Sequence, residues 1–159
     1  MTEALKALKE KLEVVSGLQQ ANTVMGWDQE THMPRGGAMS RARALGAVSR
    51  VVHEMSTSAE FGRMLEAAEA EGVSLHPDSD DARLLWWVRR DFERALKLPA
   101  DFVAELRRAS SLATQLWQEA RRADDFSRFA PSLAQLITMP RQTAEYLGYE
   151  DPPYASLLD

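Results

Sequence analysis

Residues 79–99, SDDARLLWWVRRDFERALKLP, contain a complete helix signal with its own start and stop. Ser79 followed by two aspartates is typical of a helix N-terminus, because a serine oxygen caps free amides and carboxylates oppose the helix dipole. Apolar residues then recur at steps of three and four, which places them on one stripe of a helix. Pro99 ends the helix. The stripe consists of Leu84, Leu85, Val88, Phe92 and Leu96.

The same apolar period recurs on both sides of this segment and predicts five further helices. No segment alternates apolar and polar residues with β-branched enrichment. We therefore expect an all-α fold, an antiparallel bundle of about six helices that forms one domain, residues 1–159. The tail from Asp151 to Asp159 is predicted to begin extended and to add one more helical turn. The other helices are predicted from Glu3 to about Met33, from about Ala38 to Met55, from a Thr57–Glu60 capping box to Gly72, from Pro99 to about Asp124, and from near Pro131, with a kink at Pro140, to Gly148.

Composition excludes several classes of protein. The chain has 159 residues, with 19 basic and 24 acidic side chains and a net charge of −5, which disfavours binding to nucleic acid. It has no cysteine, which excludes disulfides, thiolate nucleophiles and cysteine-bound zinc. The longest apolar run, Leu84–Val88, is far shorter than the about 20 residues of a membrane-spanning helix. Because the N-terminus also lacks a secretory pattern, we expect a cytoplasmic protein without membrane contact.

His53 and Glu54 begin the His-Glu pattern of zinc peptidases, in which a second histidine follows one turn later. Thr57 stands at that position, and the other histidines, His32 and His76, fall in predicted loops. The three protein ligands of a catalytic zinc are therefore missing. The aspartates at 78–81 and 124–125 precede helices, where capping explains them. The sequence predicts no catalytic residue and no metal ligand in this chain.

Trp27, Asp28 and Gln29 are the candidate functional residues, at the end of the first helix beside a Pro/Gly loop. Two alternatives stay open for them: they line a binding cleft, or they cap the helix and anchor the loop. The other tryptophans fall at or near buried stripes and are predicted to pack in the core. Because neighbouring helix positions differ by about 100°, either Trp86 or Trp87 should face another element or an interface. These three residues are Trp86, Trp87 and Trp117.

Several motifs, taken in their order along the chain, resemble those of the Taq-type thermostable metallocarboxypeptidases. The N-terminal signature of that family is similar to Trp27-Asp28-Gln29-Glu30-Thr31, followed by Met33-Pro34 and Gly36-Gly37. Pro140 departs from the family pattern, which leads us to expect an uninterrupted helix there. The other similar motifs cover essentially the whole chain: Arg89-Arg90-Asp91-Phe92-Glu93-Arg94-Ala95, Lys97-Leu98-Pro99, Trp117-Gln118-Glu119-Ala120-Arg121, Asp125-Phe126, Phe129-Ala130-Pro131, Leu147-Gly148-Tyr149-Glu150-Asp151, Pro153-Tyr154 and Leu157-Leu158-Asp159.

The resemblance implies a cytosolic, mostly helical and usually dimeric enzyme that removes C-terminal residues from peptides. Such enzymes hold zinc or another divalent metal with an H-E-x-x-H helix and a later glutamate, and residues 1–159 contain no H-E-x-x-H. The resemblance therefore implies that this chain is the N-terminal, noncatalytic portion, whose helices wall and cover the substrate cleft. It carries no catalytic or metal-binding residue onto this chain.

Two classes of function remain. The first is the N-terminal portion of a metallocarboxypeptidase, which is inactive by itself. The second is a stand-alone helical module that acts by binding a partner or itself. Helices that evolved to pack on an absent region leave apolar surface uncovered, and large uncovered patches drive association. We therefore expect a homodimer or a higher oligomer, with Trp86 or Trp87 near the contact.

Overall fold

A computed structural model describes residues 3–149 and 152–158 of the chain. Within these residues the chain forms six α-helices and no β-strand, so the prediction of an all-α fold with about six helices is confirmed. Two short 3-10 helices, Arg35–Gly37 and Pro153–Leu157, accompany them. The six α-helices are α1 (Glu3–Thr31), α2 (Ala38–Thr57), α3 (Ala59–Gly72), α4 (Asp80–Leu96), α5 (Ala100–Ala123) and α6 (Phe126–Leu147).

Capping residues set the boundaries of α3 and α4. The predicted cap of α4 is confirmed, because the Ser79 hydroxyl accepts a hydrogen bond from the Ala82 amide at 3.3 Å. The predicted Thr57–Glu60 capping box is wrong by one residue. Ser58 caps α3 by accepting from the Phe61 amide at 3.0 Å. The Thr57 hydroxyl instead donates to the His53 carbonyl at 2.7 Å, so α2 continues to Thr57 rather than ending at residue 55.

The prediction that α6 starts near Pro131 is also wrong. Asp125 caps the helix by accepting from the Ser127 amide at 3.1 Å, and α6 therefore begins at Phe126. Pro131 and Pro140 both lie inside one continuous helix. Each removes one backbone hydrogen bond, and the helix that contains them packs against α5. The kink at Pro140 stays a prediction.

Helices α2 and α5 make the most extensive contact in the described part of the chain, and the other four helices are arranged around them. Gly46 permits this close approach, because a β-carbon at that position would lie 3.1 Å from the Ala104 carbonyl oxygen. The first helix packs on α2 and α3, α4 packs on α3 and α2, and α6 packs on α5. A core of apolar side chains joins α1, α3 and α4, and it consists of Leu5, Leu8, Phe61, Leu65, Ala68 and Leu85.

The prediction that Trp117 and one member of the adjacent pair, Trp86 and Trp87, pack in the core is wrong. Trp86 is 60% exposed, Trp87 50% and Trp117 49%. The neighbouring elements cover one stripe of α4, and Leu85 takes its buried position. Leu96, which was also predicted to be buried, is 53% exposed. The two adjacent tryptophan rings contact each other edge to face, with centroids 4.7 Å apart.

The C-terminal segment returns to α4. The predicted extra turn is present as the 3-10 helix Pro153–Leu157, while Asp151 and Asp159 lie outside the described residues. Arg94 Nη2 donates to the Ser156 carbonyl at 3.1 Å, and Lys97 Nζ donates to the Leu147 carbonyl at 2.8 Å. None of the described helices combines the length and the apolar character that crossing a bilayer requires.

Replacing a core leucine should destabilise the chain far more than replacing an exposed one. Leu65 is fully buried, so Leu65→Ala should lower the free energy of unfolding by about 2–5 kcal/mol, through lost burial and the cavity it leaves. Leu96→Ala is the matched control and should change it by about 0.5 kcal/mol or less. Urea denaturation followed by circular dichroism measures both, and equal midpoints would contradict this description of the core.

Candidate functional site

The C-terminal end of α1 carries the three candidate residues. Asp28 belongs to the last helical turn, and its carbonyl oxygen accepts hydrogen bonds from the His32 amide at 2.9 Å and the Met33 amide at 2.8 Å. These bonds close the helix and lead the chain into the 3-10 turn Arg35–Gly37. The loop that follows Trp27, Asp28 and Gln29 is therefore positioned by α1 itself.

The carboxylate of Asp28 forms an ion pair with Arg41 of α2. The same guanidinium also donates to the carbonyl oxygen of Met25, so Arg41 bridges two points near the end of α1. Both side chains of the pair are partly buried. A partly buried ion pair with a second hydrogen bond holds the two helices in a fixed relation. Asp28 thus ties α1 to α2.

Both the nitrogen and the oxygen of the Gln29 side-chain amide make hydrogen bonds to one residue of α5, Ser111. Gln29 Nε2 donates to the Ser111 carbonyl oxygen at 2.9 Å. The Ser111 hydroxyl in turn donates to Gln29 Oε1 at 2.6 Å. Ser111 is the buried polar residue of the described core. Because both polar atoms of the amide are used, Gln29 connects α1 to the middle of α5.

Trp27 is the member of the group that faces solvent, with 60% of its surface exposed. Its ring lies 5.2 Å from the His32 ring, centroid to centroid, at an angle of 46°. The structure therefore gives Asp28 and Gln29 anchoring contacts and leaves Trp27 at the surface beside the loop. A role for the three residues in lining a cleft stays a prediction.

The cavity next to Gln29 is small. It has a volume of about 40 Å³. Because one water molecule needs about 10–15 Å³ by this kind of measure, the space suits a few waters and not a peptide side chain. Its walls are formed by Gln29, Met33, Arg35, Thr114, Gln115 and Gln118.

The three histidines have separate partners. His53 Nε2 lies 2.8 Å from the Leu98 carbonyl oxygen, His32 Nδ1 lies 2.8 Å from the Thr31 hydroxyl, and the Asp78 amide donates to His76 Nδ1 at 3.2 Å. Across residues 3–149 and 152–158, no three His, Asp or Glu side chains come together as a set that could hold a metal ion. The described residues therefore do not fit a zinc site, and metal-free behaviour of the whole chain stays a prediction.

Two arginines, Arg108 of α5 and Arg89 of α4, are paired with carboxylates. Arg108 donates through Nε and Nη2 to Glu105 at 2.7 Å each, and this lowers the pKa of the Glu105 carboxyl below its usual value. Arg89 donates in the same way to Glu69, through Nε at 2.9 Å, which raises the pKa of Arg89. Local pairing of this kind compensates positive charge that a nucleic-acid surface would need to keep available.

The sequence did not single out Arg41 or Ser111 as members of this group. Arg41 lies 13 residues from Asp28, and Ser111 lies 82 residues from Gln29. No local pattern connects residues at such separations, because the contacts form only when α2 and α5 pack beside α1. A polar residue within the apolar period of α5 was the available signal, and Ser111 is such a residue.

Removal of the Gln29 amide should destabilise the fold. Gln29→Ala leaves the buried Ser111 hydroxyl without its acceptor and the Ser111 carbonyl without its side-chain donor, which should cost about 1–3 kcal/mol of unfolding free energy. Gln20→Ala, at an exposed position of the same helix, should cost about 0.5 kcal/mol or less. Thermal and urea unfolding measure the difference, and an unchanged Gln29→Ala variant would show that this bridge contributes no stability.

Comparison with known proteins gives one consistent family. The family model described as Carboxypeptidase Taq (M32) metallopeptidase matches residues 7–159. Thermostable carboxypeptidase 1 of Pyrococcus furiosus is 36% identical over 157 residues, which cover 99% of this chain and 31% of that protein. Thermostable carboxypeptidase 1 of Thermus thermophilus is 34% identical, over 89% of this chain and 29% of that protein. The chain therefore spans about a third of the length of these relatives.

Solved structures agree with this result. The BsuCP crystal structure superposes with a TM-score of 0.92 at 28% identity, and the match covers 99% of this chain and 31% of that one. A structure of the Pyrococcus furiosus carboxypeptidase superposes with a TM-score of 0.73 at 35% identity, over 100% of this chain and 31% of that one. The six-helix arrangement is thus found within larger proteins.

Proposed function

This chain belongs to the Carboxypeptidase Taq (M32) metallopeptidase family, and from that membership we propose that it forms the N-terminal, noncatalytic portion of a metal-dependent carboxypeptidase. The observation that carries the proposal is the superposition on BsuCP, which uses nearly all of this chain and less than a third of the other. In this role the helices wall and cover a cleft for peptide substrates, in a cytoplasmic enzyme that does not act on nucleic acid.

The contacts at the end of α1 suit such a covering role. Asp28 and Gln29 fix the end of α1 to α2 and α5, and the exposed ring of Trp27 is held next to the loop that follows. An aromatic side chain on a rigid support offers a large contact area at a low entropic cost. We propose that this ring faces the peptide, while Asp28 and Gln29 position it.

The metal chemistry is proposed to belong to the rest of the enzyme. In a metallopeptidase a bound zinc or other divalent ion polarises the peptide carbonyl and activates water, and a carboxylate serves as general base. The described residues of this chain offer no matching set of ligands. We therefore assign no step of the reaction to any residue of this chain.

The purified chain should contain no stoichiometric zinc and should hydrolyse no peptide. Elemental analysis after dialysis, together with an assay on a blocked dipeptide at added zinc, cobalt or manganese, measures both properties. Turnover that depends on added metal and disappears with chelator would refute the noncatalytic role. The expected result follows from the absence of a ligand cluster among residues 3–149 and 152–158.

Self-association is the second part of the proposal, and it also fits the alternative of a stand-alone interaction module. Two adjacent exposed tryptophans on α4 lie beside Arg90, whose guanidinium sits 5.0 Å from the centre of the Trp87 ring. Tryptophan and arginine are the residues most enriched at the energetic centres of protein interfaces. We propose that the surface of Trp86, Trp87 and Arg90 is the contact between two copies of the chain.

Light scattering should show a dimer or a higher oligomer of the wild-type chain. Trp86→Ala should weaken association roughly tenfold or more, because it removes a large side chain from the centre of the contact. Trp117→Ala, at a tryptophan on α5 that is 49% exposed against 60% for Trp86, should leave association unchanged. A wild-type chain that stays monomeric at high concentration, or an equal effect of both substitutions, would contradict this assignment.

A further inference from the structure

A shallow hollow of about 520 Å³ lies where the loop after α1 meets the junction of α5 and α6. Three arginines contribute to its walls, and each comes from a different segment. Arg35 begins the 3-10 turn, Arg122 belongs to the last turn of α5, and Arg128 lies in the first turn of α6. This feature, the arginine hollow, is completed by Glu119 and Ala123. Small-molecule sites commonly have volumes of roughly 300–1,000 Å³, so the hollow has the capacity for such a ligand.

Two of the three guanidinium groups have no partner within the described part of the chain. The side chains of Arg35 and Arg122 are exposed, and neither donates a hydrogen bond to a described residue or forms an ion pair with one. Arg128 shares its charge with Asp125, whose Oδ2 lies 3.0 Å from its Nε. A concave surface lined by charges of one sign attracts ions of the other sign. The hollow is therefore positive in a chain whose net charge is −5.

A glutamine of α5 holds two walls of the arginine hollow together. Gln115 Nε2 donates to the Arg35 carbonyl oxygen at 3.3 Å and to Glu119 Oε1 at 3.2 Å. The backbone that carries Arg35 is thereby tied to α5. Glu119 forms no ion pair with any of the three arginines across the described residues, because its carboxylate is directed at Gln115 instead. The carboxylate that lines the hollow thus leaves the arginine side chains available to a ligand.

We propose that the arginine hollow binds a small polyanion, a molecule that carries two or more phosphate or carboxylate groups. A guanidinium group is a planar fork of donors that matches the oxygens of phosphate and carboxylate in pairs. Two such forks on different segments suit a ligand with separate anionic groups. A polyanion held by Arg35 and Arg122 joins the loop after α1 to the end of α5. This binding goes beyond the proposed peptidase role and does not depend on it.

Isothermal titration calorimetry of the purified chain tests the proposal, with pyrophosphate and citrate as probes in metal-free buffer. The ionic strength is held constant, because salt at 0.1 M screens exposed charges beyond about 10 Å. We expect at least one of the two probes to bind with a dissociation constant below about 1 mM. Sulfate at the same ionic strength is the reference ion. Binding of both probes no tighter than that of sulfate would identify an adventitious ion only and would overturn the proposal.

Substitutions at the arginine hollow should change the affinity in opposite directions. Arg35→Gln and Arg122→Gln each remove one positive charge and no contact with a described residue, and each should weaken probe binding roughly threefold or more. Glu119→Gln removes the carboxylate that repels an anion and should tighten binding roughly twofold or more. Arg63→Gln, at an exposed arginine of α3, is the matched control and should leave the affinity unchanged.

Three other results would overturn the proposal. An affinity that neither Arg35→Gln nor Arg122→Gln changes would place the probe elsewhere. Equal weakening by Arg63→Gln and Arg122→Gln would show that the net charge of the chain acts, and not the hollow. Tighter binding of tetraglutamate than of both probes would assign the hollow to an acidic peptide. None of these measurements involves hydrolysis, so a failure of the proposed peptidase role is read separately, from the metal and activity assays.

Discussion

The close contact between α2 and α5 is the constraint on which the rest of the structure depends. Gly46 allows the backbone of α5 to approach so closely that a β-carbon at position 46 would crowd the Ala104 carbonyl oxygen. The buried residues of these two helices are small or medium-sized, among them Ala42 and Leu45 on α2 and Ala109 and Ala113 on α5. Small side chains let two helices approach closely, and that proximity brings Ser111 within reach of Gln29.

The first helix joins this pair to the other helices by two different means. Its N-terminal half buries leucines against α3 and α4, where apolar burial provides the stabilisation. Its C-terminal end is held by polar contacts, from Asp28 to Arg41 and from Gln29 to Ser111. Polar contacts of this kind have defined geometry, so they specify the position of the end of α1 relative to α2 and α5. An exposed aromatic residue beside such a loop, as Trp27 is, has a stable position from which to contact a ligand.

Local patterns were enough to predict the six helices, because the apolar period and the capping residues act within a few positions of the chain. The Ser79 cap of α4 is an example. Predictions failed where tertiary packing determines which side chains are buried and where a helix begins. The period of α4 does not reveal which of its residues the neighbouring helices cover, so both Trp86 and Trp87 are exposed where one of the two was predicted to be buried. Pro131 was taken as a start because proline ends helices locally, whereas Asp125 caps a helix that continues through it. The partners of Asp28 and Gln29 could not be predicted, because they lie 13 and 82 residues away.

The distribution of side-chain sizes connects the fold to the proposed function. Six of the fourteen buried hydrophobic residues among those described are alanines, and the largest fully buried side chains are leucines. Tryptophans lie at the surface instead. An alanine buries little apolar area, so a core built this way gains less from the hydrophobic effect than its length would allow. The large aromatic side chains could supply the missing burial only by contact with something outside the described chain. Aromatic residues are enriched at protein interfaces, so this distribution fits the proposed packing of the chain against a further surface, in a larger enzyme or in a second copy.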